Sequence, residues 1–171
     1  MIKSDKKLRE LEEIFKKDDY AVITEAIETL RLEKPFEGAI GLLTAYYDST
    51  EDFSIRKAIA GFMNDLKDKT VCKEVINEIR KKWKSDTISM LVSSCWQSGL
   101  NYSDYSLDMA KVFLNGDYIT AIECLTVIEE SVHELTKATK DNIMKMLDES
   151  HISQIAEKKE LTMELIAILE R

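Results

Sequence analysis

The feature that most constrains this chain is a pattern that returns along it. An aspartate opens an apolar helical stretch at Asp19, Asp52, Asp86 and Asp117, at spacings of 33, 34 and 31 residues. The clearest copy runs from Asp52 to Leu66. Ile55, Ile59, Phe62 and Leu66 share one helical face, Ala58 and Met63 flank it, and Arg56, Lys57, Asn64 and Asp65 lie off it. Asp52 is placed to accept from the free amides of the helix's first turn. Two helices per unit at this period predict an α-helical solenoid, because one pair cannot bury its stripe alone and must stack on the next. Five Gly and one Pro in 171 residues suit long helices with short joints and an all-α fold.

In chain order, the spacing predicts an N-terminal helix over 4–17, with Leu8, Leu11, Ile14 and Phe15 inward, and repeats over about 18–47, 52–83, 85–114 and 117–148. Val22, Ala26 and Leu30, and then Ile88, Val92 and Trp96, stand 33 residues from Ile55, Ile59 and Met63 and predict the buried register of the first and third copies. Second helices are expected over 36–47, on Phe36, Ile40, Leu43 and Tyr47, over 70–83, on Val71, Val75, Ile79 and Trp83, after Asn101, on Leu107, Ala110, Val112, Phe113 and Leu114, and in the fourth copy on Ile143, Met146 and Leu147. Asp117-Tyr118 matches Asp19-Tyr20 at the head of the fourth copy. A last helix over about 152–170, carrying Leu161, Leu165, Ile168 and Leu169, caps the array, and residues 1–171 form one domain of about four helical pairs.

Charge limits the partner. The formal net charge is −8, so binding nucleic acid through its phosphates would require a concentrated basic patch, and nucleic acid is not the expected partner. Residues 70–100 hold five basic and three acidic side chains, whereas residues 101–137 hold two basic and seven acidic. A basic protein is the electrostatic expectation. Cys72, Cys95 and Cys124 are far apart within apolar stretches and read as core thiols. No apolar leader or membrane-length run is legible, so a cytoplasmic protein without cofactor or metal is expected.

Asp52, Ile55, Arg56, Ala58, Ala60 and Met63 together resemble the helix signature of HEAT repeats, close to the Armadillo group. Ile23, Ser89 and Thr120 or Ala121 stand where the other copies would carry the Arg. The resemblance implies a right-handed α-α superhelix whose Asp-initiated helices line a concave face that holds protein partners. On such a face the row one position beyond each helix's core bulge, Arg31, Asn64, Gln97 and Glu129 or Glu130, would stack into a polar ridge. Tyr46, Tyr102 and Tyr105, near helix ends, are candidate anchors. The expected function is a non-enzymatic protein-binding scaffold or adaptor, with an acidic inhibitor of one basic protein as a narrower version. Two enzymatic resemblances are weaker. His133-Glu134 resembles the His-Glu pairs of deoxyhypusine hydroxylase, but His133 and His151 are the only histidines and neither has a metal-ligand partner three or four positions after it. Trp83, Trp96, Arg80, Lys81 and Lys82 are the residues that a HEAT-like DNA glycosylase of alkylated purines would recruit, against a net charge of −8.

Overall fold

The structure, a computed structural model, describes residues 3–150 and 156–171. It is all-helical, with ten α-helices, three short 3-10 turns and no β-strand among the described residues. The chain forms two compact units, Met1–Leu100 and Asn101–Arg171.

The first unit contains α1 (Asp5–Lys16), α2 (Tyr20–Leu32), α3 (Ala39–Ser49), α4 (Phe53–Asn64), α5 (Cys72–Ile79) and α6 (Ser85–Gln97). α2 packs on α4 and α4 on α6, while α1 contacts α2 and α3, and α3 contacts α5. Ile23, Ile27, Leu43, Ile55, Ile59, Met63, Ile76 and Leu91 are fully buried between them. The second unit contains α7 (Ser106–Asn115), α8 (Tyr118–Ser131), α9 (Lys137–Glu149) and α10 (Ala156–Leu169). α7 packs on α8 and α9, and α10 on the same two helices. Leu161, Leu165, Ile168 and Leu169 of α10 are all buried, as their spacing predicts, while residues 152–155 of the expected helix lie outside the described residues.

Three of the four aspartates begin helices as expected. Asp19 accepts from the amides of Ala21 and Val22 at 2.9 and 3.1 Å, Asp52 from those of Ser54 and Ile55 at 2.8 and 3.1 Å, and Asp117 from that of Thr120 at 2.8 Å. Asp86 does not: α6 starts two residues earlier, with Lys84 at its cap position, and the Asp86 carboxylate turns to Arg56 instead. The buried register also differs. Ile23 and Ile27 are in the core, with Val22 and Ala26 half-buried, and α6 buries Thr87, Leu91 and Cys95 together with the expected Val92, while Ile88 and Trp96 are half-buried. A cap fixes where a helix begins, whereas its rotation follows whichever residues fill the space between neighbours. One residue of offset is about 100° of that rotation.

The second helices are shorter than expected. Gly38, at φ +93°, stands at the head of α3, so Phe36 is buried ahead of the helix and not within it. A 3-10 turn, Lys69–Val71, precedes α5, which ends at Ile79. Trp83 therefore lies beyond the helix, where its indole N–H donates at 3.1 Å to the Glu78 carbonyl, which also accepts from the Lys81 amide at 3.0 Å.

Each unit buries a charged side chain that caps another helix. In the first, Glu74 of α5 accepts from the amides of Gly38 and Gly41 at 3.0 and 3.3 Å, so a carboxylate from a distant helix covers the α3 N-terminus, where Gly38 has no side chain to do so. Glu78 packs one turn further along, so close to Gly41 that a Cβ there would come within 2.9 Å of its carboxylate. In the second, Lys158 of α10 donates to the carbonyls of Phe113, at 3.1 Å, and Gly116, covering the C-terminal end of α7.

Candidate protein-binding face

The ridge expected on the first unit forms in its parts. Arg31, at the end of α2, pairs with Asp65 beyond the end of α4 and holds Glu28 of its own helix at 3.1 Å. Asn64 of α4 donates its side-chain amide to the Gln97 carbonyl of α6 at 2.8 Å, and Gln97 donates in turn to Ser93 at 2.6 Å. The stripe α2, α4, α6 is thus tied by side-chain bonds at consecutive helix ends, in addition to its buried core. At the other end of the same row Arg56 pairs with Asp86 and lies 4.3 Å from the Tyr47 ring centroid. The Arg56 hydrogen bond holds the Asp86 carboxyl below its ordinary range. Arg56→Met keeps the stem and removes both contacts. We expect a loss of about 1 kcal/mol, small because Asp86 is half-exposed, and a shallower loss of stability on acidification below pH ~4, measured by urea unfolding.

A cleft of about 170 Å³ opens beside this ridge, between the α2–α3 joint and the α4–α5 joint. Its floor is apolar, from Phe36, Ile40, Phe62, Leu66 and Val71, and its rim is charged, from Arg31, Lys34, Asp65, Lys67 and Asp68. Arg31 belongs to both features: its guanidinium lies 5.8 Å from the Phe62 ring centroid. Leu32, the neighbouring residue, is 91% exposed. The cleft is smaller than the roughly 300–1,000 Å³ of a drug-sized ligand site and matches one apolar side chain with a polar collar.

The remaining expected residues are dispersed. Glu130 and Glu129 are exposed at the end of α8 in the second unit, with Glu129 3.4 Å from Arg171. Tyr102 is 2% exposed and so cannot anchor a partner, which corrects its expected role: its ring packs under the turn into α7, 6.4 Å from the half-buried Tyr105. Tyr46 is also structural. Its hydroxyl donates to Asp18, its ring stacks on Phe15 at 4.7 Å, and burial followed by the Asp18 bond raises its pKa to about 12. The sequence reading missed the cleft, whose walls come from two joints too far apart in sequence to be paired by periodicity.

Of the enzymatic candidates, Trp83 and Trp96 are half-buried, and Lys81 of the basic run lies 6.0 Å from the Trp83 ring centroid and is paired with Glu78 at 2.7 Å. His133 is exposed in a 3-10 turn, and His151 lies outside the described residues. No group of three or more metal-ligating side chains occurs among the described residues. Cys72, Cys95 and Cys124 are buried thiols outside any disulfide, and burial pushes the Cys124 thiol well above its ordinary pKa, as a core thiol requires. No described helix is long and apolar enough to cross a membrane. No protein-family model, no curated protein and no solved structure matches the chain.

Proposed function

We propose that this protein is a non-enzymatic, protein-binding scaffold of the HEAT-like solenoid type, acting in the cytoplasm. The observation that carries the reading is the cleft between the joints flanking α2 and α4, with its apolar floor and charged rim, and with the exposed Leu32 next in the chain to its lining residues Arg31 and Glu33. Such a cleft takes one apolar anchor of a partner chain, and Arg31 and Lys67 at its rim orient the partner's backbone carbonyls or carboxylates. The side-chain ties Arg31–Asp65 and Asn64–Gln97 support the reading because they hold α2, α4 and α6 in one arrangement before a partner arrives. A surface ordered in advance loses less conformational freedom on binding. The successive packing of α2 on α4 and α4 on α6, each with its outer companion helix, agrees with a solenoid.

The test is capture from the protein's own cell lysate by tagged wild type and by Leu32→Ser/Lys67→Glu, two exposed substitutions, one at the chain neighbour of the lining residues Arg31 and Glu33 and one on the rim. We expect a stoichiometric protein partner at ~0.15 M salt and about tenfold less of it with the double variant. Equal retention by the variant would remove the cleft from the reading. Nucleic acid retained without any protein would overturn the scaffold reading in favour of a DNA-acting one.

A further inference from the structure

The exposed face of α8 changes character along its length. Tyr118, Ile119 and Ile122 are 38%, 63% and 39% exposed in its first turns, and Glu129 and Glu130 stand exposed on the same side at its end. Ile119, Ile122, Thr126 and Glu130 follow helical spacing, so they form one line about 16 Å long. The opposite side already supplies the core: Thr120, Ala121, Cys124, Leu125, Val127 and Ile128 are buried. The two isoleucines therefore contribute little to the packing of α8 in the second unit, and they leave an apolar patch with an acidic end.

Charge selects what can cover it. Residues 101–171 hold seven Lys and Arg against fourteen Asp and Glu, which is −7 of the chain's −8. A second copy would bring like charge onto like charge, and a nucleic acid or an anionic bilayer would do the same. We propose that α8 docks a lysine- or arginine-rich amphipathic helix of a partner protein. Its apolar side covers Tyr118, Ile119 and Ile122, and its cations reach Glu130 and, in place of Arg171, Glu129. This inference rests on the protein-binding reading but uses a different surface, so the two can fail separately.

The test titrates the full chain with a synthetic Leu/Lys amphipathic peptide of about 18 residues, long enough to hold a helix, by calorimetry at ~0.05 and ~0.5 M salt. Leu/Glu and Ser/Lys peptides of the same pattern are the controls, and circular dichroism confirms that the variants fold. One Leu/Lys peptide per chain is expected, with both controls at least about tenfold weaker. Ile119→Ser/Ile122→Ser is expected to weaken binding about tenfold at both salts, and Glu129→Lys/Glu130→Lys about tenfold at low salt only. Binding unchanged by both pairs, or equally tight to the Leu/Glu peptide, would overturn the proposal. A dimer in sedimentation that Ile119→Ser abolishes would overturn it in favour of a second copy. Sensitivity to Leu32→Ser/Lys67→Glu alone would place the peptide in the cleft, overturning this inference and leaving the scaffold reading standing.

Discussion

Lys158→Ala is expected to lower the stability of the second unit by about 3 kcal/mol, a large effect for a residue in a helix of otherwise ordinary composition. The side chain is 6% exposed, and its ammonium donates to the Phe113 and Gly116 carbonyls at the end of α7. Those carbonyls belong to the last turn, where no amide of the same helix can reach them. Removing the amine leaves them without this donor in a dry setting, and removing the stem opens space beside the buried Phe113. Lys158→Met separates the two losses. It keeps the stem and ends the cost of holding a charge out of water, so the expected loss is smaller, about 2 kcal/mol. The pH dependence has a definite sign. Burial lowers the Lys158 pKa below 10.5, so the unfolded chain binds more protons in the alkaline window. Wild-type stability therefore gains a contribution as pH rises from the folded pKa toward 10.5, and the Met variant lacks it. Both tryptophans lie in residues 1–100, so the measurement is hydrogen exchange of α7 amides together with circular dichroism. A loss under about 0.5 kcal/mol in both variants would mean that the amine does not cap α7 in solution.

Sequence periodicity reaches contacts that a helix makes with itself. The Asp19, Asp52 and Asp117 caps were legible because the acceptor and its amides are two or three residues apart. The apolar lines of α4 and α10 were legible for the same reason: one face of one helix is set by spacing alone. The core line of α2 was displaced by one residue because helical rotation answers to α1 and α4 on either side, and no local pattern reports those neighbours. Asp86 shows the same competition, since the expected cap is taken over by Arg56, thirty positions earlier in the chain. The cross-helix caps lay further out of reach: Glu74 and Gly38 are 36 residues apart, and Lys158 and Phe113 are 45. The ridge was half legible, because equivalent positions one repeat apart brought Asn64 to Gln97 at 2.8 Å while Arg31 found Asp65 instead of Asn64. The α8 patch did leave a signal. Apolar residues run all round its first turns, at Tyr118, Ile119, Ala121 and Ile122, which exceeds what one buried face can use.

The first unit offers the complementary case, in which the buried cap is an acid and the expected outcome depends on which replacement is made. Glu74→Ala removes the acceptor from the Gly38 and Gly41 amides at the head of α3 and is expected to cost about 2–3 kcal/mol. Glu74→Gln keeps a carbonyl oxygen for those amides and removes the charge. Burial raises the Glu74 pKa above its ordinary 4.5, the two glycine amides oppose the shift, and the Glu78 carboxylate reinforces it. A carboxyl raised in this way takes up a proton on folding, so its favourable contribution is complete below pH ~4.5 and is lost as pH climbs through the raised value. At pH 8 the wild type therefore carries the cost of a charge held out of water, and Gln does not. Glu74→Gln is expected to be about 1 kcal/mol more stable than wild type at pH 8 and to lose that advantage as pH falls through the raised value toward ~4.5, in urea unfolding followed by tryptophan fluorescence. The Glu78 carboxylate, with one oxygen buried and without a hydrogen-bond partner, adds to the gain because the neighbouring negative charge disappears. If Gln proves as damaging as Ala at pH 8, the ionised form must be the better cap. The field of the α3 N-terminus would then outweigh desolvation, and Glu74 would resemble Asp19 and Asp52 in everything but its distance along the chain.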